Sequence, residues 1–306
     1  MSSSTTSNAS TGAVPSPSTV TVLGLGPMGK ALAGAFADAG ARTTVWNRTP
    51  GKDAESISRG AVSAASAVEA VSASDLIVVS VVNQAAVDAV LRDPEVAAAL
   101  KGRTVFNLTA DTPERARGTA AWAAEQGIDY VDGAIMSPAP TIGTPHGVFL
   151  YSGPTDLYKR HESVLALLDG SHTYLGEEIG RAAAFDLGLL DLFWTAIGGF
   201  AHSVALAQAE GVSAKDFAPF AAGITAILPA LFADAAEDLE RGEFPGTVNP
   251  LTSAASSMAH IVESAESHGI DSAIMRSVEG LTHRAIGLGH GGDGFARLAE
   301  LLGRRG

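Results

Sequence analysis

The chain has 306 residues, of which 46% are apolar and 17% are charged, and this composition is typical of a globular protein with one or two domains. Its net charge of −13 argues against a nucleic-acid-binding protein, which needs a basic face, and disfavours docking on anionic lipid. The sequence contains no cysteine, which excludes disulfides, thiolate metal ligands and a cysteine nucleophile.

Residues 1–18 are rich in serine, threonine and proline. Such a segment cannot bury enough apolar surface to fold, so we predict a disordered tail. It has neither the basic start nor the apolar centre of a secretory signal peptide, and we therefore expect a cytoplasmic protein.

Short β-rich runs alternate with alanine-rich helical stretches from Thr19 to about Leu175. This alternation predicts an α/β domain of the Rossmann type, with a parallel sheet that helices cover on both faces. The strands predicted are TVTVL, RTTVW, DLIVVSVV, RTVFNLT, YVDGAI and VFLYSG.

The remaining sequence is helical, with a long apolar helix to Ala209 followed by helices over 213–241, 250–268, 271–287 and 294–303. We therefore predict an α/β domain over 19–178, an interdomain helix over 179–209 that is about 40 Å long, and an all-α domain over 210–306. The long helix is apolar enough to raise the alternative of a membrane span. Asp186, Asp191 and His202 interrupt it and no basic flank orients it, so a buried helix of a soluble protein is expected.

A glycine-rich turn follows the first strand directly and opens a helix. In a βαβ unit this GxGxxG pattern predicts a dinucleotide site: the first glycine allows the tight turn, the second lets the backbone approach a pyrophosphate, and the third lets the helix pack on the strand. The residues are Gly24, Leu25, Gly26, Pro27, Met28 and Gly29.

The end of the second strand indicates which dinucleotide is bound. An NAD site usually has an acidic residue here for the ribose hydroxyls, whereas this chain has Asn47, Arg48, Thr49 and then Lys52. Two cations and a hydroxyl suit a 2′-phosphate, and no carboxylate in this stretch would repel it. NADP(H) is therefore the predicted cofactor.

Ligands of such sheets bind beyond the carboxyl ends of the strands. The nicotinamide half of the site is therefore predicted at the ends of the third, fourth and fifth predicted strands. The residues are Val81, Val82, Asn83, Asn107, Thr109, Ile135 and Met136.

Several stretches resemble the imine reductases, a family within the β-hydroxyacid dehydrogenase superfamily. They are GLGPMG, WNRTPGK, SVVNQ, FNLTADTP, DGAIMSPAPTIGTPHG, the long helix with its aspartate, and GLGHGGDGFARLAELL, and together the resemblance covers about residues 19–304. It implies reduction of a small, often cyclic, imine or iminium ion by NADPH.

The positions that are catalytic in the hydroxyacid dehydrogenases differ in this chain. Their serine corresponds to Met136, their lysine, six residues after Gly180, corresponds to Asp186, and their asparagine corresponds to Leu190. Without the lysine, the chemistry of a hydroxyacid dehydrogenase is not expected. The resemblance makes Asp186 the catalytic residue, acting either as a carboxylate that holds a protonated imine or as an acid that gives the imine nitrogen its proton.

Trp194 is eight residues after Asp186 and lies on nearly the same side of the helix, so we predict that it contacts the substrate, with a role in the core as the alternative. Leu190 and Met258 are the other predicted substrate-pocket residues. Asp191 lies about 140° around the helix from Asp186, so we interpret it as structural. In strongly condensing reductive aminases we expect an asparagine after NLT, and Ala110 at this position argues modestly against that activity.

The family forms homodimers in which the long helix exchanges domains between the chains, so the resemblance implies a reciprocal homodimer. The glycine-rich GLGHGGDG segment resembles a flap over the cofactor, with His290 and Asp293 as candidate contacts; a flexible loop is the alternative. The histidines and carboxylates show no metal-ligand spacing, and no metal is expected. Two alternative functions stay open: a reductase of small carbonyl acids, and a non-catalytic NADP sensor.

Overall fold

The computed structural model describes residues 18–303. The predicted disordered tail over 1–18 therefore lies outside the described residues, apart from Ser18. The chain divides into two compact units, of which the first ends at Leu190 and the second begins at Asp191.

The first unit contains one sheet of eight strands in the order β3-β2-β1-β4-β5-β6-β7-β8. Six of these strands were predicted from the sequence. The two at the edges, β3 and β8, were not, and both are short and at least partly exposed. The strands are β1 (Thr19–Leu23), β2 (Arg42–Trp46), β3 (Val62–Ser63), β4 (Leu76–Val79), β5 (Thr104–Asn107), β6 (Asp129–Ile135), β7 (Val148–Ser152) and β8 (Ser171–Tyr174).

The strands from β1 to β6 pair in parallel, as predicted. The prediction of a wholly parallel sheet is wrong for β7, which runs antiparallel to β6. The connection between these two strands carries only a short 3-10 turn, Ala139–Thr141. A parallel return is usually made by a helix that crosses one face of the sheet, and this connection has no such helix, so the chain comes back in the opposite direction.

Seven helices cover the sheet in the first unit before the long helix begins. Alternate residues of one strand enter two different apolar clusters: Val78 belongs to one, and Ile77 and Val79 belong to the other. Both faces of the sheet are therefore buried, which explains the continuous apolar runs in the strands. The helices are α1 (Pro27–Asp38), α2 (Ala54–Ser58), α3 (Ala67–Ser72), α4 (Gln84–Leu91), α5 (Pro94–Leu100), α6 (Pro113–Gln126) and α7 (Thr155–Leu165).

The long helix α8 (Arg181–Ala209) has 29 residues and carries the chain into the second unit. The helix predicted over 213–241 is two helices. Pro229 stands in the first turn of the second one, where a missing N–H costs nothing, whereas inside a continuous helix its ring would clash with the preceding turn. The helices are α9 (Ala214–Thr225), α10 (Leu228–Arg241), α11 (Leu251–Ser267), α12 (Ala273–Ala285) and α13 (Arg297–Gly303). The predicted fold class, a Rossmann-type α/β domain followed by a helical domain, is confirmed.

Candidate active site

The turn between β1 and α1 has the geometry of a phosphate cradle. Gly24 has a φ of +98°, and a Cβ atom there would lie 2.2 Å from the carbonyl oxygen of Ser80. A Cβ atom on Gly29 would lie 1.9 Å from the carbonyl oxygen of Gly24, so the helix packs directly on the turn. Gly26 is the N-cap of α1 and faces open space, with no side chain capping the helix. The helix N-terminus is thus free for an anion, and the cradle fits a pyrophosphate.

A cavity of about 1090 Å³ opens over this turn. It is lined by all six residues of the GLGPMG turn and by six of the other predicted cofactor residues. Those six are Asn47, Arg48, Thr49, Lys52, Val81 and Val82. The structure does not place Asn83, Asn107, Thr109, Ile135 or Met136 in its lining.

The cations of this cavity differ in their partners. Lys30 pairs with Glu55 at 3.1 Å, and Arg59 pairs with Asp38 outside the cavity. Arg48 and Lys52 line the cavity and have no ion-pair partner among residues 18–303. Two unpaired cations suit the two negative charges of a 2′-phosphate.

Residues 43–52 contain no carboxylate, but the lining of the cavity includes one from another part of the chain. Glu55 on α2 contributes to the lining, although its ion pair with Lys30 neutralises it. Lys30, Glu55 and Arg59 were not predicted from the sequence, because they lie in helix α1 or in and just after helix α2, outside the two motifs. The missed residues Ala139, Pro140 and Ile142 also line the cavity, and they lie in the motif DGAIMSPAPTIG.

Asn47 shapes the turn from within. Its side-chain Oδ1 accepts a hydrogen bond from Leu25 N at 2.9 Å, and its Nδ2 donates to the carbonyl oxygen of Thr49 at 2.8 Å. The amide thus ties the glycine turn to the loop that carries Arg48.

The polar residues at the next strand ends support the loops of the site. Asn83 caps α4 by accepting from Ala86 N at 3.0 Å. The buried Asn107 donates to the Tyr130 hydroxyl at 3.1 Å, and the buried Thr109 accepts from Val81 N at 3.2 Å. These side chains hold the strand-end loops, including the one that carries Val81 into the cavity lining.

Ile135 and Met136 lie at the end of β6 and are half-buried. Met136 packs against a small apolar cluster that contains Ala134, Leu150 and Ala182. Met136 therefore contacts the same cluster as the first turn of α8.

Asp186 is buried on α8, with 3% of its surface exposed in the single chain, and its Oδ2 atom has no hydrogen-bond partner among the described residues. Burial raises the pKa of this carboxyl above the ordinary aspartate value because the charged form loses solvation. The structure thus holds a buried carboxyl group that has no hydrogen-bond partner in the described chain.

A second buried carboxyl, missed in the sequence analysis, is Asp132 on β6. Its Oδ2 accepts from Ala183 N at 3.2 Å, in the first turn of α8. Burial and the nearby charge of Asp186 raise the pKa of Asp132 to about 7. The same signal that singled out Asp186, a carboxylate inside an apolar run, is present in YVDGAI.

The predicted substrate-pocket residues fall in different units: Leu190 ends the first, while Trp194 and Met258 belong to the second. In the single chain Trp194 is 65% exposed and Asp191 is exposed. Met258 accepts a weak hydrogen bond from the Thr282 hydroxyl, with an oxygen–sulfur distance of 3.8 Å.

The glycine-rich segment before α13 is held by side-chain contacts within the second unit. Asp293 bonds His290 Nδ1 at 3.1 Å and accepts from Arg297 Nε at 2.7 Å. The Arg297 guanidinium also stacks on Phe244, 3.9 Å from the ring centre. His290 and Asp293, predicted as candidate cofactor contacts, therefore bond each other. Within residues 18–303, no group of three histidine or acidic side chains could hold a metal ion.

Both parts of the chain are similar to known proteins. Residues 19–176 match the NAD binding domain of 6-phosphogluconate dehydrogenase, and residues 178–304 match the family described as NADPH-dependent reductive aminase-like, C-terminal domain. An NADPH-dependent reductive aminase from Aspergillus oryzae is 33% identical, and the match covers 91% of this chain and 95% of that protein.

Two solved structures share the fold along nearly the whole chain. An imine reductase from Streptomyces aurantiacus is 36% identical with a TM-score of 0.88, and the match covers 94% of this chain and 100% of that one. A reductive aminase from Aspergillus terreus, in complex with NADPH4, cyclohexanone and allyl amine, is 34% identical with a TM-score of 0.87, at the same coverages. The chain therefore belongs to the family of NADPH-dependent imine reductases and reductive aminases.

Proposed function

We propose that this protein transfers a hydride from NADPH to the carbon of a C=N bond and so reduces small cyclic imines or iminium ions to amines. The observation that carries this proposal is Asp186, a buried carboxyl without a hydrogen-bond partner on the helix that follows the nucleotide-binding domain. It replaces the lysine that a hydroxyacid dehydrogenase needs, and a carboxyl suits a cationic substrate.

NADPH supplies the hydride when it is bound. The open backbone at Gly26 and the N-terminus of α1 would hold its pyrophosphate, and Arg48, Thr49 and Lys52 would hold its 2′-phosphate. Among the predicted strand-end residues, Val81 and Val82 line the cavity and would contact the nicotinamide half. Asn83, Asn107 and Thr109 would hold the loops around it, and Ile135 and Met136 lie outside the lining.

Asp186 has two roles that fit its surroundings. As a carboxylate it orients an iminium ion and stabilises its positive charge in a site of low dielectric constant. As an acid, which its raised pKa favours, it donates a proton to the imine nitrogen. Leu190, Trp194 and Met258 would shape the apolar part of the pocket.

The test is consumption of NADPH by the purified protein with 2-methyl-1-pyrroline, compared with NADH as the reductant. We expect turnover with the imine and a preference for NADPH, because Arg48 and Lys52 have no carboxylate partner in the described chain. Cyclohexanone with allylamine tests reductive amination. Similarity to the Aspergillus reductive aminases supports this activity, whereas Ala110 argues against it. Glyoxylate tests the carbonyl-acid alternative. A protein that binds NADPH but turns over none of these substrates would contradict the proposal and support the sensor alternative.

We also propose a reciprocal homodimer built on the helices α8–α10. In the single chain these helices expose many large apolar side chains, and such surface in a soluble protein marks an interaction site where it is contiguous. Among them are Phe193, Trp194, Ile197, Phe220, Ile224, Ile227, Leu231 and Phe232. Two segments, Arg181–Ala209 and Ala214–Arg241, would also pass for membrane spans by length and composition, a weak signal that the core helices of soluble proteins share. A dimer interface would cover the same apolar side chains. We further propose a cytoplasmic location.

Light scattering after size-exclusion chromatography tests the dimer. We expect twice the monomer mass of 31.1 kDa for the unchanged protein and a shift toward monomer or aggregate for the double variant Phe220→Glu/Ile224→Glu. Two buried charges without partners would oppose association. The variant Val62→Glu, at an exposed apolar position on the edge strand β3, is the control and should stay dimeric. A monomeric unchanged protein would contradict the proposal.

A further inference from the structure

The antiparallel pair β6–β7 places two polar side chains side by side under the start of α8. Asp132 and Ser152 are register partners, and they are 3% and 0% exposed. The strand–strand pairing thus puts a carboxylate and a hydroxyl at one buried point of the sheet.

Both side chains bond to the first turn of the helix. Ala182 N donates to Ser152 Oγ at 2.9 Å, and Ala183 N donates to Asp132 Oδ2 at 3.2 Å. These N–H groups have no partner within the helix, so the sheet acts as its cap. Asp186 follows Ala183 by three residues, less than one helical turn. The position of its backbone is therefore set by these two bonds.

We propose that Asp132 and Ser152 form a clamp that positions Asp186 for the reaction, and that the charge of Asp132 favours the protonated state of Asp186. The inference rests on the proposed function of Asp186. The two residues contribute differently: Ser152 only positions Asp186, whereas Asp132 positions it and also acts through its charge.

The charges around the clamp support the electrostatic part. Burial raises the pKa of both carboxyls, and the charge of Asp186 raises the pKa of Asp132 further. Because electrostatic coupling between two sites is reciprocal, a charged Asp132 in turn disfavours the charged form of Asp186. The backbone N–H groups of Ala183 and Gly180 act in the opposite direction and stabilise the Asp132 carboxylate. The two carboxyls thus titrate as a coupled pair.

Two other titratable groups border the clamp. Tyr130 lies on the same strand, and burial together with the charge of Asp132 raises the pKa of its phenol. The Arg117 guanidinium lies beside Gly180, since a Cβ atom on this glycine would be 3.2 Å from Arg117 Nη1. The raised pKa of Tyr130 keeps its phenol neutral over the pH range of an assay. We therefore assign the limb of the pH–rate profile measured there to the aspartates.

The experiment compares the pH profile of kcat with 2-methyl-1-pyrroline for the unchanged protein, Asp132→Asn and Ser152→Ala. Asparagine keeps an acceptor oxygen for Ala183 N but removes the charge of Asp132. The limb of the pH–kcat profile that reports the pKa of Asp186 should therefore move to lower pH. This direction is the same whether Asp186 acts as carboxylate or as acid. Ser152→Ala should lower kcat by about tenfold through misplacement, without moving the limb.

Asp129→Asn is the matched control, because Asp129 lies on the same strand but forms a surface ion pair with Arg160 at 3.0 Å. It should change neither kcat nor the limb. Affinity for NADPH should be unchanged in all three variants, since neither clamp residue lines the cofactor cavity.

If the pH–kcat profile of folded Asp132→Asn does not move, Asp132 does not act on Asp186 through its charge. If kcat of Ser152→Ala is unchanged, the clamp does not position Asp186 for the reaction. If Asp132→Asn does not fold, Ser152→Ala alone decides whether the clamp positions Asp186. Lack of imine turnover by the unchanged protein would be a failure of the proposed function and is seen before any variant is made.

Discussion

Replacing Asp186 by asparagine is expected to lower turnover of 2-methyl-1-pyrroline by a factor on the order of 10² or more. Asparagine has nearly the same size, but it can neither carry the negative charge that holds an iminium ion nor supply an acidic proton. Binding of NADPH should persist, because Asp186 is not in the lining of the cofactor cavity. Initial rates and a separate NADPH titration measure the two properties.

Asp191→Asn is the matched control for this variant. Asp191 lies on the same helix five residues later and is exposed in the single chain. Its loss should leave turnover close to that of the unchanged protein. If Asp186→Asn kept full turnover, the reaction class would stand, but the proton donor would be another residue or water.

Thermal unfolding at several pH values gives an independent check on Asp186. Its pKa is raised in the folded state, so the folded protein binds this proton more tightly than the unfolded chain does. The contribution of the group to stability is therefore present at low pH and is lost as the pH rises through the folded-state pKa. The stability of Asp186→Asn minus that of the unchanged protein should therefore rise as the pH increases. A difference that falls as the pH increases would contradict the burial argument.

Gly26→Val is expected to weaken NADPH binding by roughly 100-fold or more, because the loss of two charge-assisted hydrogen bonds costs about 3 kcal/mol. Its φ of −68° is accessible to valine, and a Cβ atom there meets no atom within 4 Å. The side chain therefore enters open space in the cavity, where the pyrophosphate would approach the backbone. The variant should keep its unfolding temperature while it loses affinity in a fluorescence titration.

Two other glycines provide the comparison. Gly29→Ala should be destabilised, because its Cβ atom would clash with the backbone of Gly24. Gly118→Ala, on α6 and away from the cavity, has open space and should be neutral or slightly stabilising. If Gly26→Val bound NADPH as well as Gly118→Ala does, the glycine turn would not be the pyrophosphate site.

Local patterns in the sequence were sufficient to predict the Rossmann-type domain, the helical domain and most of the residues that line the cavity around Gly26 and Arg48 or lie next to it. Each rests on short-range physics: a strand period, a helix period, a glycine conformation or a charge within a few residues of a strand end. The long helix with Asp186 was recognisable for the same reason, since a carboxylate inside an apolar run is visible without any contact information.

Contacts between distant segments decided the rest. β7 returns antiparallel through a connection without a crossover helix, and this direction pairs Asp132 with Ser152. Glu55 reaches the cavity and its partner Lys30 only because α1 and α2 pack together. These neighbours could not be predicted from local sequence patterns, because the paired residues are 20 to 51 positions apart in the chain. The sequence by itself therefore determined which cofactor and chemistry to expect, and the tertiary structure determined which groups surround Asp186.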